Sequence, residues 1–182
     1  MLVLIKGAGD LATGTAVRLY RAGIKVVMTE VARPTAVRRT VAFSQCMYDG
    51  AAQVEGISAR RAEDAGAARR ALERGEVPVL CDPEAAILRE LPFDGVVDAI
   101  LAKRNLGTAI TDAPVVLALG PGFTAGVDCH GVVETMRGHD LGRLLTRGSA
   151  VPNTGVPGDV GGYTTQRIIR APADGVFEPL AA

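Results

Sequence analysis

A glycine-rich turn near the start of the sequence carries the clearest sign of chemistry. The six residues from Gly7 to Ala12 fit the pattern G-x-G-x-x-G/A. In nucleotide-binding proteins the first glycine of this pattern allows a tight turn, and the second lets the backbone approach a pyrophosphate. The amide groups that begin the next helix then face the phosphate oxygens. We therefore expect a nucleotide phosphate to bind at Gly7, Ala8, Gly9, Asp10, Leu11 and Ala12.

An acidic residue stands where a ribose-binding carboxylate is expected. Glu30 follows Gly9 at roughly the spacing of about 20 residues that the dinucleotide-binding fingerprint requires. Its carboxylate would accept hydrogen bonds from ribose hydroxyls and would repel a 2′-phosphate, which favours NAD over NADP. Asp10 counts against a tightly held pyrophosphate, although an acid at a helix N-terminus is also an ordinary cap. A turn of this kind that has lost its ligand, or binds a different one, is the alternative.

Two groups of basic residues follow predicted strands. Arg38 and Arg39 come shortly after the second strand and could bind a 2′-phosphate or another anion. A later strand, predicted at residues 95–102 with Asp98 inside its apolar run, is followed by Lys103, Arg104 and Asn105. Because ligands of open α/β sheets lie outside the carboxyl ends of the strands, we expect Arg38, Arg39, Lys103 and Arg104 to line one positive cleft beside the glycine turn. The alternative is that these residues belong to ordinary solvated loops.

The elements that must position these residues alternate between strand and helix. An apolar run at residues 2–5, a helical pattern at 10–21 and a second strand at 25–28 make a βαβ unit. The alternation continues through a short helix predicted at 83–90 to a strand that ends at Leu119. This order predicts an α/β protein with a Rossmann-like open parallel sheet. We divide the chain into a nucleotide-binding domain at residues 1–122 and a smaller β-rich region at residues 123–182.

Composition narrows the class of protein. Apolar residues make up 48% of the 182 residues and charged residues 22%, which excludes a disordered chain. The formal net charge of zero gives no reason to expect nucleic acid or an anionic membrane as a partner. No apolar stretch is long enough for a membrane span or a signal peptide, so we expect a cytoplasmic protein. Cys46, Cys81 and Cys129 lack CxxC spacing, and neither a disulfide framework nor a metal site is predicted.

Long and uncommon strings carry a family resemblance. They include "GAGDLATGTAVRLYRAG", "VDAILAKRNLGT", "LGPGFTAGVDCHGVVETMRGHDLGR" and "PNTGVPGDVGGYT". The chain resembles, over nearly its whole length, the selenium-dependent molybdenum hydroxylase accessory proteins, also called the YqeB family. The resemblance implies an accessory role in maturing a molybdenum-cofactor hydroxylase of the xanthine dehydrogenase type, which would be the protein partner. It implies no settled reaction and no catalytic residues.

Three functions are consistent with these features. The first is a maturation protein whose glycine turn binds a dinucleotide, either NAD or a molybdopterin dinucleotide. The second is an NAD(P)-dependent oxidoreductase that uses Lys103 or Asp98 in proton transfer. The third is a noncatalytic chaperone that carries a cofactor, so catalysis is left open. Residues 170–177 look like the opening strand of an incomplete biotinyl/lipoyl-type sandwich, whose end would then pair elsewhere or on a second copy in a homo-oligomer.

Overall fold

One open β-sheet forms the centre of the computed structural model, which describes residues 1–169 and 171–175. Within these residues the sheet has nine strands. In chain order they are β1 (Leu2–Lys6), β2 (Lys25–Glu30), β3 (Ala51–Val54), β4 (Ile57–Ala62), β5 (Val77–Cys81), β6 (Gly95–Asp98), β7 (Val115–Leu119), β8 (Gly131–Val133) and β9 (Leu144–Leu145). The helices of the described residues are α1 (Asp10–Arg21), α2 (Cys46–Asp49) and α3 (Ala65–Glu73), with 3-10 turns at Arg39–Val41, Phe43–Gln45, Ala86–Arg89 and Thr165–Arg167.

The strand order confirms the predicted fold class. Across the sheet the strands run β3-β4-β5-β2-β1-β6-β7-β8-β9, and all neighbours from β4 to β8 are parallel. If the β3–β4 hairpin is set aside, the six neighbouring parallel strands are β5-β2-β1-β6-β7-β8. They follow the order 3-2-1-4-5-6 of a doubly wound dinucleotide-binding sheet. The order reverses between β1 and β6, so the carboxyl ends of these strands form the expected ligand crevice.

Small residues let the helices pack closely on the two faces of the sheet. In α1, Ala12 and Ala16 are buried in one core with Ile5 of β1. In α3, Ala65 and Ala68 belong to the opposite core, which also contains Leu4. Because neighbouring residues of a strand point to opposite faces, the continuous apolar run of β1 supplies both cores.

The helix predicted at residues 83–90 forms only as the 3-10 turn Ala86–Arg89. The Asp82 carboxylate accepts hydrogen bonds from the amides of Ala86 and Ile87, both at 2.9 Å. Ala85, just before the turn, has a φ of 53°, which is left-handed and incompatible with a continuous helix. The local hydrogen bonds to the Asp82 side chain therefore stabilise a short 3-10 turn where a helix was predicted.

Contacts divide the chain into two compact units, Met1–Pro152 and Asn153–Ala182. In the described part of the second unit, Val160 and Tyr163 form an antiparallel bridge. The predicted domain division at residue 122 stays a prediction, and β8 and β9, which follow it, belong to the central sheet. The predicted biotinyl/lipoyl-like strand at 170–177 includes residues 170, 176 and 177, which lie outside the described residues.

A buried carboxylate holds the end of β8 in place. Glu134 is 4% exposed, and its Oε1 accepts hydrogen bonds from the amides of Thr135 and Met136, both at 2.7 Å. Its Oε2 accepts a hydrogen bond from the amide of Val151 at 2.8 Å. Burial raises the pKa of the Glu134 carboxyl, but these backbone hydrogen bonds outweigh it, and the pKa lies below its ordinary value.

We expect Glu134→Gln to lower the free energy of unfolding by about 2 kcal/mol at pH 7, because an amide nitrogen cannot accept a hydrogen bond. A lowered pKa in the folded state stabilises the protein above the ordinary glutamate value of about 4.3, and this contribution is lost as pH falls through the folded-state pKa. Urea unfolding should therefore show a smaller difference between variant and wild type at about pH 3 than at pH 7. The exposed Glu73→Gln variant is the control, and an equal loss in both variants would contradict the assignment.

Candidate functional site

Gly7 makes the turn after β1 possible. Its φ of 92° is left-handed, and a Cβ atom at this position would lie 3.0 Å from the carbonyl oxygen of Ala99. Its amide donates a hydrogen bond to the Thr29 carbonyl at 2.8 Å. The fold itself therefore requires glycine here, whether or not a ligand binds.

Gly9 is different, because nothing in the fold requires it. Its φ of −65° and ψ of −177° suit any residue, and a Cβ atom would meet nothing within 4 Å. It precedes α1, and no side chain among the described residues caps the amides of the first turn. The absence of a side chain thus leaves open space beside uncapped amide donors, as a bound phosphate requires.

A cavity of about 370 Å³ opens at this turn. It lies at the carboxyl ends of β1, β2 and β6, where the strand order reverses, and its volume falls within the usual range for small-molecule sites. Four groups of residues line the cavity: the turn residues Gly7 and Gly9 to Ala12, Glu30 and Val31, Thr35 and Ala36, and Ala99 to Leu101. The glycine turn and Glu30 therefore share one cavity.

The Glu30 carboxylate is tied to the turn. Its Oε2 accepts a hydrogen bond from the Ala8 amide at 2.9 Å, and its Oε1 accepts one from the Val31 amide at 2.8 Å. A carboxylate has about four acceptor positions, so each oxygen keeps capacity for a further donor. The group is therefore oriented by the backbone and can still accept hydrogen bonds from two hydroxyls of a ligand.

Comparison with known proteins gives one close relative. No family model and no solved structure matches the chain. It is 57% identical over 176 residues to the uncharacterized protein YqeB of Escherichia coli (strain K12), a match that covers 97% of this chain. The chain is a homologue of YqeB. The match supports the YqeB family resemblance and carries no activity with it. The chain spans about a third, 32%, of the length of YqeB.

An ion pair balances the acidic residue of the turn in this YqeB homologue. Arg38 pairs with the Asp10 carboxylate through its guanidinium group. The pair joins the loop after β2 to the first turn of α1. The negative charge of Asp10 would repel a bound phosphate, and the neighbouring Arg38 offsets that repulsion.

The other predicted basic residues do not line the cavity, and neither does Arg38. Arg39 donates to Gln45 at 2.8 Å and stacks 5.0 Å from the ring centre of Tyr48. Lys103 and Arg104 are exposed. The backbone of Arg104 packs closely on Gly122, because a Cβ atom on Gly122 would lie only 2.6 Å from the Arg104 backbone nitrogen. The four cations of the expected cleft are thus not gathered around the cavity, and their role in binding a ligand stays a prediction.

Asn105 shapes its own loop. Its side-chain oxygen accepts hydrogen bonds from the amides of Gly107 and Thr108 at 2.9 and 2.8 Å, and its Nδ2 donates to the Thr108 carbonyl at 2.8 Å. These bonds occupy the amide group within the loop. Its assignment to ligand binding also stays a prediction.

Asp98 belongs to a buried network that the sequence analysis did not recognise. It is 1% exposed at the end of β6, directly beside Lys6 of β1. The Thr108 hydroxyl donates to its Oδ2 at 2.6 Å and accepts from the Lys6 ammonium at 2.6 Å. A lysine that ends an otherwise apolar strand is the sequence signal that could have found this network.

The cysteines are not arranged for metal binding. Burial raises the pKa of the Cys46 thiol to about 12 and also raises that of Cys129, so both are unreactive core residues. Cys81 is exposed at the end of β5. Among residues 1–169 and 171–175, no three His, Cys, Asp or Glu side chains gather closely enough to hold a metal ion. The same part of the chain contains no helix that is long and apolar enough to cross a membrane.

Proposed function

We propose that this YqeB homologue binds a nucleotide-bearing ligand at its glycine turn and serves the maturation of a molybdenum-cofactor hydroxylase of the xanthine dehydrogenase type. The ligand is a dinucleotide, NAD or a molybdopterin dinucleotide, since each carries a pyrophosphate. The observation that carries the binding proposal is Gly9, whose missing side chain leaves space that the fold does not use. The maturation role rests on the sequence resemblance to the YqeB family.

The arrangement of donors and acceptors supports a nucleotide. Uncapped amides at the start of α1 supply hydrogen bonds and the positive end of the helix dipole for a phosphate. Glu30, in the same cavity, supplies acceptors for ribose hydroxyls. Arg38 reduces the repulsion that Asp10 would exert on the phosphate. The phosphate and the ribose of a nucleotide therefore each have a partner of suitable chemistry in one cavity.

The contacts around the glycine-turn cavity support a protein that carries a cofactor better than they support an oxidoreductase. Hydride transfer with proton transfer needs an acid or base beside the bound cofactor. Asp98 is buried and accepts hydrogen bonds from the Thr108 hydroxyl and the Ile100 amide. Neither Asp98 nor Lys103 lines the glycine-turn cavity. The NAD(P)-dependent oxidoreductase is therefore the second candidate, and the proposal favours a protein that holds or delivers its ligand.

The ligand preference tests the proposal. We expect NAD to raise the melting temperature more than NADP at equal concentration, because the Glu30 carboxylate would repel a 2′-phosphate. Thermal-shift titration measures this difference, and Glu30→Gln should reduce it. Greater stabilisation by NADP would show that Arg38 or another cation governs the pocket. If neither compound stabilises the protein and native mass spectrometry finds no retained nucleotide, the binding proposal is wrong.

A further inference from the structure

A second cavity, of about 380 Å³, lies on the other side of β1. Leu4 of β1 packs in the core that contains Ile87, whereas Ile5 packs in the core under α1. Since side chains alternate along a strand, Lys6 points to the same face as Leu4, away from α1. Lys6 lines this cavity together with Glu84, Leu88, Arg89, Gly107 and Asp112, none of which lines the glycine-turn cavity.

Lys6 brings unused hydrogen-bond donors to this cavity. The residue is 3% exposed, and its ammonium group donates to the Thr108 hydroxyl at 2.6 Å. The nearest carboxylate oxygen, Oδ2 of Asp98, is 4.0 Å from the ammonium nitrogen, which is close enough for an ion pair but beyond hydrogen-bond distance. An ammonium group has three N–H donors, so two have no acceptor among the described residues. Buried N–H donors without acceptors are unfavourable unless an acceptor enters the cavity.

The charges around the cavity indicate the kind of acceptor. The oxygens of Asp98 accept hydrogen bonds from the Thr108 hydroxyl and the Ile100 amide and none from Lys6. An anionic oxygen is the strongest acceptor for an ammonium donor. At the rim, exposed Arg89 adds a positive charge, while Glu84 and Asp112 add negative charges and hydrogen-bond acceptors. The rim carboxylates suit hydroxyl or amino groups that lie farther along the same molecule.

We propose that this cavity, called the Lys6 cavity, binds the carboxylate or phosphate group of a small molecule that also carries hydroxyl or amino groups. The Lys6 ammonium is the charged donor at its floor, and Arg89 contacts the anion from the rim. The Lys6 cavity is separate from the glycine turn, so this proposal stands or fails independently of nucleotide binding.

The test follows the ammonium signals of the lysines in 15N-labelled protein. The sequence has three lysines, Lys6, Lys25 and Lys103, so the signals are few and Lys→Arg variants of the two exposed ones assign them. Sodium phosphate and sodium acetate are titrated against sodium chloride at matched ionic strength. We expect the Lys6 signal to shift saturably, with a Kd of about 1–10 mM, while the other two signals do not. The stronger of the two anions identifies the group as phosphate or carboxylate.

Two variants locate the effect. Arg89→Gln should raise the Kd at least about threefold, and Arg18→Gln, an exposed arginine of α1, should not change it. Gly9→Val, which blocks the glycine turn, should leave the Lys6 response unchanged. Absence of a saturable Lys6 shift with both anions would overturn the proposal. Loss of the shift in Gly9→Val would also overturn it, because the anion would then be bound at the glycine turn.

Discussion

Gly9→Val should lower nucleotide affinity by more than about 100-fold and leave the fold intact. The valine side chain would occupy the open space above Gly9 and keep a phosphate away from the amides of the first turn of α1. Two charge-assisted hydrogen bonds of about 1.5 kcal/mol or more each would be lost, which gives this factor. The backbone angles of Gly9 suit valine, so the cost to stability is only that of a poorer helix cap, about 1 kcal/mol. Calorimetric titration measures the affinity.

Gly14→Ala is the matched control for this variant. Gly14 lies in α1, is exposed, and has open space at its Cβ position, but it does not line the glycine-turn cavity. Alanine there should keep full affinity and raise helix stability by up to about 1 kcal/mol. In cells that lack the chain, wild-type protein and Gly14→Ala should restore molybdenum hydroxylase activity and Gly9→Val should not. A Gly9→Val protein with wild-type affinity would contradict the binding proposal.

Local patterns in the sequence predicted the part of the fold that forms the cavity. The apolar run of β1, the small-residue face of α1 and the acid that ends β2 are all contiguous signals, and the structure contains each of them. The β3–β4 hairpin was missed for a physical reason. Its turn is Glu55-Gly56, with φ values of 50° and 79°, and glutamate is a weaker turn signal than the usual asparagine or aspartate.

Contacts between residues far apart in the sequence could not be predicted in this way. Arg38 and Asp10 are 28 positions apart, and their ion pair depends on the path of the loop after β2. Lys6 and Thr108 are 102 positions apart, and no local periodicity links them. A single sequence shows that Arg39 and Arg104 are basic, but the fold decides that neither lines the glycine-turn cavity. Loop conformation therefore limits prediction of the site more than strand order does.

The buried pair of Lys6 and Asp98 should make a large contribution to stability when one partner is removed alone. Lys6→Met keeps the length of the side chain but leaves the Asp98 carboxylate, 1% exposed, without its nearest cation. Removing one partner of a buried ion pair typically costs about 3–5 kcal/mol, because the remaining charge is uncompensated. We expect a loss of that size in urea unfolding, whereas Lys25→Met, at an exposed position of β2, should change stability by less than about 0.5 kcal/mol.

The double variant Lys6→Met/Asp98→Asn should recover about 2 kcal/mol of that loss. Asparagine keeps an oxygen that can accept from the Ile100 amide and adds an NH₂ group that can donate to the Thr108 hydroxyl oxygen, which has lost the Lys6 donor. Both charges are then removed from the core, while one hydrogen bond to Thr108, with its direction reversed, and the one from Ile100 remain. If the double variant is as unstable as the sum of the two single variants, the residues do not act as a pair. Recovery would show that Lys6 and Asp98 act as a pair, and that the buried Asp98 carboxylate requires the ammonium group at the floor of the Lys6 cavity.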